Sequence, residues 1–399
     1  MVRSKRTGYE KPGNDAAQHG IAAAPLFRTR HASGSFRGAA SRSMPRKGDE
    51  IGTEPQRTYD CGKPVIPALA DYDVIIIGAG AAGLAAGRRL ADDPRVKFRI
   101  LEARSRIGGR AHTITKEFPL DLGCGWLHSA DINPFTAILS GLGFEIDKSP
   151  PGWGRQSFDL GFSAKDQAAF MDAMQAFRSA IEKAASDEPD RAVATLLPED
   201  GRFNPLVAAV TTYASGVEPD RLSTADTANY EDTGINWRIA EGYGAGIARF
   251  GAALPITLSC PVTRVDHSGP VIRLTTPQGI VTAAKVVVTL PTNLLASDAI
   301  NFDPPLPEKR AAAAGLPLGV ADKLILAVDG SLDLPKDGHL FGRTDRIETA
   351  SYHLRPFGRN LIEAYFGGQL AANLEHERPA AFAAFALDEL AGLFGASIK

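Results

Sequence analysis

The sequence contains few cysteines and no long hydrophobic run. Its three cysteines, Cys61, Cys124 and Cys260, lie far apart and match no metal-binding or redox spacing. No apolar run approaches the ~18 residues that a membrane span requires. The formal net charge of −2 gives no reason to expect a nucleic acid or an anionic membrane as partner. We therefore expect a cytoplasmic protein that binds no metal and crosses no membrane.

Several catalytic signatures are also missing. The chain has no G-x-S-x-G sequence, no local Ser/His/Asp signature and no phosphate-binding loop ending in Gly-Lys-Ser/Thr. His112 and His128 have no His, Cys or acidic partner at a metal-ligand spacing. At 399 residues, 44% of them hydrophobic, the chain is long enough for two domains. Its function has to be sought in other motifs.

The first 70 residues differ in composition from the rest. Residues 1–48 contain ten Lys or Arg and two acidic residues, so their local charge is +8. Such an Arg- and Ser-rich segment is typical of a targeting presequence. The lack of a clear amphipathic helix favours instead a disordered tail, or a gene start assigned too far upstream, with true translation initiation near Met44. We predict a disordered basic tail over residues 1–70.

The most informative segment is a glycine-rich turn after a β-branched run. Val74–Ile77 has the composition of a buried parallel strand, and Gly78, Gly80 and Gly83 follow with G-x-G-x-x-G spacing before a helix. Gly78 permits the tight turn, Gly80 lets a pyrophosphate approach the backbone, and Gly83 lets helix and strand pack closely. The diphosphate would lie at the helix N-terminus.

An acidic residue follows the second predicted strand. This strand, at residues 97–101, leads to Glu102, which lies 22 residues after Gly80. At that distance an acid accepts hydrogen bonds from the ribose of an adenine dinucleotide. The alternative is a glycine turn without a ligand, and the strand, helix and acid together argue against it. The sequence predicts an α/β fold with a Rossmann-like domain that binds an adenine dinucleotide.

Four blocks of the sequence resemble the flavin-dependent amine oxidase family, which includes monoamine and polyamine oxidases. They are the glycine turn, an acid-Ala-Arg-x-Arg-x-Gly-Gly-Arg string at 102–110, a Gly-Tyr-Gly block leading to Pro-Val at 242–262, and residues 318–323. The second block is the most specific, because it is hard to explain in an NAD enzyme. The resemblance covers the chain from about residue 71 and implies FAD as the cofactor.

Strand patterning that stops for a mostly helical region and then resumes implies two interleaved domains. Residues 71–134 plus 240–298 would form the FAD-binding domain, and 135–239 plus 299–399 an α+β substrate-binding domain. Periodicity within them predicts helices near 164–186, 205–215 and 379–393, and strands at 255–265, 271–276, 280–283, 286–290, 324–328 and 360–366.

The resemblance also assigns roles to residues. In the family a lysine matching Lys323 hydrogen-bonds through a water to flavin N5, which makes it the candidate catalytic residue; the alternative is a surface lysine at a strand edge. The segment containing Trp126 would run past the isoalloxazine ring, with plain core packing as its alternative. We expect Arg106 to be a solvated surface residue. The expected cofactor contacts are Gly78, Gly80, Ala81, Ala82, Gly83, Glu102, Ala103, Arg104, Gly108, Gly109, Arg110, Gly125, Trp126 and the backbone of Val262.

The implied reaction is oxidation of an amine C–N bond to an imine, with hydride transfer to flavin N5 and reoxidation by O2 to H2O2. The partners would be a small-molecule amine and O2.

The chain reaches Lys399 without the Gly-Glu motif and final helix of the family, so it resembles a member truncated at the C-terminus. One alternative is a non-catalytic remnant, or a nucleotide-binding or interaction module. Another is a flavin-dependent C–C desaturase of the protoporphyrinogen or carotenoid type, against which Lys323 and the Gly-Tyr-Gly block argue.

Overall fold

The computed structural model describes residues 70–328 and 332–395, together with the backbone of Val2–Arg3. The predicted disordered tail over residues 1–70 therefore lies outside the described residues, apart from Val2–Arg3 and Ala70. Among the described helices, none is both long and apolar enough to cross a membrane.

The first main sheet has seven strands and contains the glycine turn. The strand before the turn, Tyr72–Ile77, pairs in parallel with a neighbour on each side, so that Ile76 lies opposite Ile100 and Val287. Ile75 and Ile76 are both fully buried, as expected for a strand covered on both faces. In spatial order the strands are β13 (Asn301–Asp303), β10 (Arg264–Asp266), β11 (Ile272–Thr276), β12 (Gly279–Val288), β2 (Tyr72–Ile77), β3 (Phe98–Leu101) and β9 (Ile256–Thr257).

The second main sheet is antiparallel and has five strands. Its centre is the pairing of Lys323 with Tyr365 and of His353 with Glu363. Alternate residues such as Tyr352 and Ile362 are fully buried in the core beneath it. In spatial order the strands are β1 (Val2–Arg3), β14 (Ala321–Val328), β17 (Leu361–Gly367), β16 (Ser351–Leu354) and β15 (Gly338–Phe341).

Helices and short strands complete the described part of the chain. In the longest helix, Phe170, Met174, Phe177 and Ile181 recur at helical spacing and are buried in one core. The helices are α1 (Ala81–Ala91), α2 (Pro134–Gly141), α3 (Ala164–Ala184), α4 (Asn204–Ser215), α5 (Thr224–Asn229), α6 (Tyr243–Gly251), α7 (Thr292–Ala296), α8 (Pro307–Ala314), α9 (Gly368–Glu377) and α10 (Pro379–Phe394). Four 3-10 turns cover Gly152–Gly154, Val193–Leu196, Pro219–Arg221 and Pro356–Gly358. Two small sheets contain β4 (Thr113–Thr115) with β5 (Pro119–Asp121), and β6 (Trp126–Leu127) with β8 (Trp237–Ile239) and β7 (Ile146–Asp147).

Two strand predictions differ from the structure. The strands predicted at 280–283 and 286–290 form a single ten-residue strand, β12, because it pairs with β11 along one edge and with β2 along the other. The strand predicted at 255–265 is divided into β9 and β10, which lie far apart in the sheet. Pro261, between them, has no N–H for a ladder hydrogen bond.

Candidate cofactor and active site

The glycine turn connects β2 to α1 in a conformation that requires glycine. Gly78 has φ +102°, and its amide donates to the carbonyl of Leu101 at 2.8 Å. A Cβ at Gly83 would collide with the carbonyl oxygen of Gly78, so close packing of helix and strand depends on this glycine. The expected tight turn and close helix–strand approach are both present.

The first amides of α1 at this turn have no acceptor within the helix. The first helical hydrogen bond runs from the Leu84 amide to the Gly80 carbonyl, so the amides of Ala81, Ala82 and Gly83 precede it. The N-cap residue is Gly80, which has no side chain that could cap the helix. Amides aligned at the positive end of a helix suit a diphosphate.

A second glycine pair lies against the first. The Gly108 amide donates to the Ala79 carbonyl at 2.9 Å, and a Cβ at Gly109 would lie only 3.1 Å from the Cα of Gly80. Gly108 and Gly109 both have positive φ, +98° and +59°. The structure thus brings together two glycine blocks that are nearly 30 residues apart in the sequence.

Arginines of the second block have different roles. Arg106, expected at the surface, is instead half-buried and donates to the carbonyl of Gly109 at 2.9 Å. This prediction was wrong, because the positive-φ turn turns the Gly109 carbonyl toward the guanidinium rather than toward solvent. Arg110 is exposed and Arg104 half-exposed, beside the exposed Ala103, so both cations could reach a bound phosphate.

Glu102 occupies the end of β3 and is buried at 7% exposure. Its Oε2 accepts from the Ala79 amide at 2.7 Å and its Oε1 from the Arg104 amide at 2.9 Å. Each carboxylate oxygen keeps a further lone pair that can accept from a ribose hydroxyl. The chain leading to Val262 runs alongside, since the Cys260 amide donates to the Glu102 carbonyl at 2.8 Å. Val262 itself is buried.

Lys323 contacts the segment that precedes Trp126. Its Nζ donates to the Asp121 carbonyl at 3.0 Å, and a Cβ at Gly125 would lie 3.5 Å from that Nζ. The lysine lies within β14 rather than before it, and it is half-buried. The ammonium is therefore held at the edge of the segment expected beside the flavin ring.

Asp121 connects this segment to the Gly-Tyr-Gly block. Its carboxylate accepts from the amides of Tyr243 at 2.9 Å and Gly244 at 3.0 Å, and from the Thr113 hydroxyl at 2.5 Å. Burial raises the pKa of Asp121, although Lys323 and these hydrogen bonds favour the charged form. Sequence reasoning did not single out this carboxylate, whose two amide partners, in Tyr243 and Gly244, lie more than a hundred residues away.

Trp126 is enclosed by aromatic and cationic groups. Its ring lies 4.6 Å from that of Trp153, and the Arg238 guanidinium lies 5.2 Å from the Trp126 ring and 4.1 Å from that of Phe357. Arg238 donates at 2.6–2.7 Å to two carboxylates, so a buried ion-pair network supports one side of the tryptophan. These carboxylates belong to Asp147 and Asp337.

A small cavity of about 30 Å³ lies beside Lys323. Residues of the five-stranded sheet and of the two small sheets meet in its lining, which includes Trp126, His353 and Glu363. The Tyr365 hydroxyl donates to Glu363 Oε2 at 2.6 Å. Burial by itself raises the pKa of Glu363, but the Lys323 charge and the His353 and Tyr365 contacts outweigh it and hold that pKa well below its usual range.

His353 and Glu363 are residues that sequence reasoning missed. β16, which carries His353, was not predicted, because polar residues interrupt its short apolar pattern. Glu363 lies in a predicted strand, yet only the register of β16 with β17 places it opposite His353. The signal available was Glu363 and Tyr365 at alternate positions of an otherwise apolar strand.

The described residues fit FAD best at its diphosphate end. The open face above Gly80, where a Cβ would meet nothing closer than 3.9 Å, and the free amides of α1 match a phosphate in close contact with backbone. Near Lys323, the glycine at position 125 leaves backbone accessible beside the ammonium. Among the described residues, no group of three His, Cys, Asp or Glu could hold a metal ion.

Comparison with known families gives two matches. Residues 170–399, more than half of the chain, match the family described as flavin containing amine oxidoreductase. Residues 76–142 match the NAD(P)-binding Rossmann-like domain. The second range contains the glycine turn and Glu102, and the first contains Lys323 and Glu363. The predicted Rossmann-like α/β fold is confirmed.

Individual relatives agree with these matches. The human lysine-specific histone demethylase 2 is 30% identical over 63% of this chain, which spans 34% of the demethylase. Polyamine oxidase 2 of Arabidopsis thaliana is 27% identical over 79% of this chain, which spans 71% of that oxidase. The cyclohexylamine oxidase from Brevibacterium oxydans has a similar fold, with a TM-score of 0.59, 21% identity and 82% coverage of each chain. A putrescine oxidase triple mutant gives a TM-score of 0.60 at 19% identity and the same coverage.

Proposed function

The chain belongs to the flavin containing amine oxidoreductase family, and from that premise we propose that it binds FAD and oxidises an amine. The observation that carries the proposal is the position of Lys323, whose ammonium is fixed on the Asp121 carbonyl beside Gly125. The resemblance places a hydrogen-bond donor of this kind beside the reacting edge of the flavin. The histone demethylase comparison covers about a third of that relative, so the activity of the whole protein is part of this proposal.

The phosphate end of FAD would be held by backbone. The amides of Ala81, Ala82 and Gly83 would donate to the diphosphate, while Gly78, Gly80, Gly108 and Gly109 keep the surface free of side chains. Arg104 and Arg110 add positive charge, with Ala103 between the acid and the first arginine. Glu102 would accept from the ribose, and the backbone of Val262 would lie at the adenine.

Residues at the ring end orient the reaction and exclude water. A bound FAD would supply the hydride acceptor for the amine α-carbon and the route of the electrons to O2, so that the products would be an imine and H2O2. Lys323 supplies a positive hydrogen-bond donor beside that reaction. Gly125 and Trp126 form the wall of the site, and the packing of Trp126 against Trp153 keeps solvent away from it.

The substrate class follows from the relatives. Their names specify polyamines, histone lysine, cyclohexylamine and putrescine, which share an amine nitrogen on a saturated carbon. We therefore propose a small-molecule amine as the substrate and O2 as the electron acceptor.

The remnant and desaturase alternatives are not favoured, since the family match is to amine oxidoreductases. The low cysteine content supports the predicted cytoplasmic location.

We propose separate binding roles for two domains, with the boundaries predicted from the sequence. Residues 71–134 plus 240–298 would bind FAD, and 135–239 plus 299–399 would bind the amine. Strands β2, β3 and β9 to β12 fall in the first set, and β14 to β17 fall in the second. β13 lies three residues beyond position 298 yet pairs with β10, so the first domain would extend slightly further.

Visible spectroscopy tests the proposal. The purified chain, incubated with FAD and freed of excess, should show the absorption of a bound flavin. Putrescine and cyclohexylamine are the first probes, and one of them should bleach the colour without air and yield H2O2 in air. The variant Lys323→Met should bind FAD but oxidise the amine at least ~10-fold more slowly. The exposed Lys309→Met is its matched control. A protein that stays colourless with FAD would contradict the proposal.

A further inference from the structure

His353 lies between two carboxylates at the cavity beside Lys323. Its Nε2 lies 3.3 Å from Asp337 Oδ1, and its Nδ1 lies 3.6 Å from Glu363 Oε2, which is longer than a hydrogen bond. The imidazole is only 4% exposed, and Nδ1 has no hydrogen-bond partner within the described parts of the chain. A buried polar atom without a partner is unfavourable, so this nitrogen points to a ligand group at the cavity.

The surroundings fix the orientation of the ring. Asp337 accepts from Arg238 at 2.7 Å and from the Phe357 amide at 2.9 Å, so the carboxylate that faces Nε2 cannot turn away. With the proton of the neutral imidazole on Nε2, directed at Asp337, the lone pair of Nδ1 is on the side of Glu363, which lines the cavity together with His353. A base oriented by a second group is the arrangement that proton transfer requires.

The charges around the ring favour its protonated form. Burial by itself lowers the pKa of His353, but the contacts with Asp337 and Glu363 outweigh it and raise that pKa above its usual value. The charged or titratable groups facing the ring from the neighbouring elements are Asp337, Glu363, Arg238, His339 and, beyond Glu363, Lys323. His339 stays neutral, because burial lowers its pKa to about 3.

Amine oxidation needs a proton acceptor. Alkylammonium groups have pKa values of about 10, so an amine substrate arrives protonated at neutral pH. Its α-carbon can give up a hydride only when the nitrogen lone pair is free. Lys323 is a cation bonded to the Asp121 carbonyl, and the Asp121 carboxylate already accepts three hydrogen bonds from the protein, so neither is well placed to take that proton.

We propose that His353, supported by Asp337 and Glu363, accepts the proton that the substrate ammonium loses before oxidation. The inference rests on the proposed function. An N–H bond of the ammonium breaks, its electron pair stays on the amine nitrogen, and a new N–H bond forms at Nδ1. No oxidant or reductant takes part. The cavity of about 30 Å³ has room for one water to relay the proton. The imidazolium then lies between two carboxylates and releases its proton to solvent after turnover.

The first test follows the imidazole in the protein without FAD. NMR titration should give His353, assigned by the signal lost in His353→Asn, a pKa above 6.5. In Glu363→Gln this pKa should fall by about half a pH unit or more, because one flanking charge is gone. Glu389→Gln is the matched control, since Glu389 also accepts from a buried tyrosine, Tyr352, at 2.8 Å. A His353 titration that is the same in both variants would overturn the proposal.

The second test follows kcat/KM against pH in the FAD-loaded enzyme, with putrescine or cyclohexylamine. The wild-type value should rise with pH through the His353 titration, and Glu363→Gln should move that rise to lower pH by the amount found by NMR. His353→Asn should lower kcat/KM about 100-fold at pH 7. Glu363→Gln alone decides the matter if His353→Asn does not fold. If the rise of kcat/KM with pH is the same in both variants as in the wild type, the role of His353 is overturned but the proposed function is not. A wild-type chain that binds FAD and oxidises no amine overturns the proposed function as well.

Discussion

The backbone amide of Ala79 donates a 2.7 Å hydrogen bond to Oε2 of Glu102. This bond connects the turn after β2 to the residue after β3, whose strands are in register at Ile77 and Leu101. It holds the acid that is expected to bind ribose against the loop that is expected to bind phosphate. The two parts of the candidate nucleotide site are therefore one hydrogen-bonded unit.

Replacing Glu102 should weaken FAD binding more than it weakens the fold. Glu102→Gln keeps one acceptor oxygen but loses the negative charge, and hydrogen bonds to charged groups contribute about 1.5–3 kcal/mol. We expect the Kd for FAD to rise roughly 10- to 100-fold. Flavin fluorescence titration measures the Kd, and the exposed Glu117→Gln is the control. An unchanged Kd would show that the acid does not contact the cofactor.

Replacing Gly83 should damage both stability and binding. The added methyl group of Gly83→Ala would collide with the Gly78 carbonyl, and overpacking of this kind costs about 1–3 kcal/mol. Gly141 is also helical, but a Cβ added there would meet nothing within 4 Å. Gly141→Ala should therefore be neutral or stabilise by up to about 1 kcal/mol. Urea unfolding compares the two variants. Equal stability of both would contradict the packing assigned to Gly83.

Arg238 should be among the residues most sensitive to truncation. Arg238→Ala would leave Asp147 and Asp337 without their buried cation, and breaking such a pair costs about 3–5 kcal/mol. The exposed pair of Arg95 and Asp93 provides the contrast, because solvent screens it and Arg95→Ala should leave the stability nearly unchanged. Thermal and urea unfolding give both values. A loss below 1 kcal/mol for Arg238→Ala would mean that the two carboxylates find other partners.

Asp322 should make stability depend on pH near neutrality. Burial, with a smaller contribution from Glu375, raises its pKa to about 7, and its Oδ2 is buried without a hydrogen-bond partner in the described residues. Because the pKa of Asp322 is higher in the folded protein than in the unfolded chain, the folded protein binds this proton more tightly. The resulting stabilisation is complete below pH about 4, the unfolded value, and is lost as the pH rises through about 7. Asp322→Asn should therefore raise the unfolding free energy at pH 8 by roughly 4 kcal/mol and leave it nearly unchanged at pH 4. Urea unfolding at both pH values measures this, and an equal effect at both would exclude titration of Asp322 as the cause.

Local patterns were sufficient for the nucleotide-binding part of the fold. The β-branched run before Gly78, the helix after Gly83 and the acid after the second strand are adjacent in the chain, and the structure places them together in β2, α1 and β3. The long helices α3 and α4 agree with predictions from periodicity to within two residues at each end. In these segments a residue's environment is determined by its near neighbours in the sequence.

The site around Lys323 depended on contacts between distant segments. The sequence, through its resemblance to a family, indicated the lysine and the glycine at 125, but not Asp121, His353 or Glu363 as their companions.

What the sequence by itself determined is therefore the Rossmann-like turn, the family and the candidate lysine, because each rests on short motifs whose own residues are close together in the chain. What only the tertiary structure decided is the buried group of charges around His353. Its members come from β8, β14, β16, β17 and the loop before β15. The pairing of β14, β16 and β17 aligns three of them, and the ion pair with Asp337 adds Arg238 from another sheet. Strand register is a property of the folded sheet, and a shift of one residue would direct His353 and Glu363 to the opposite face.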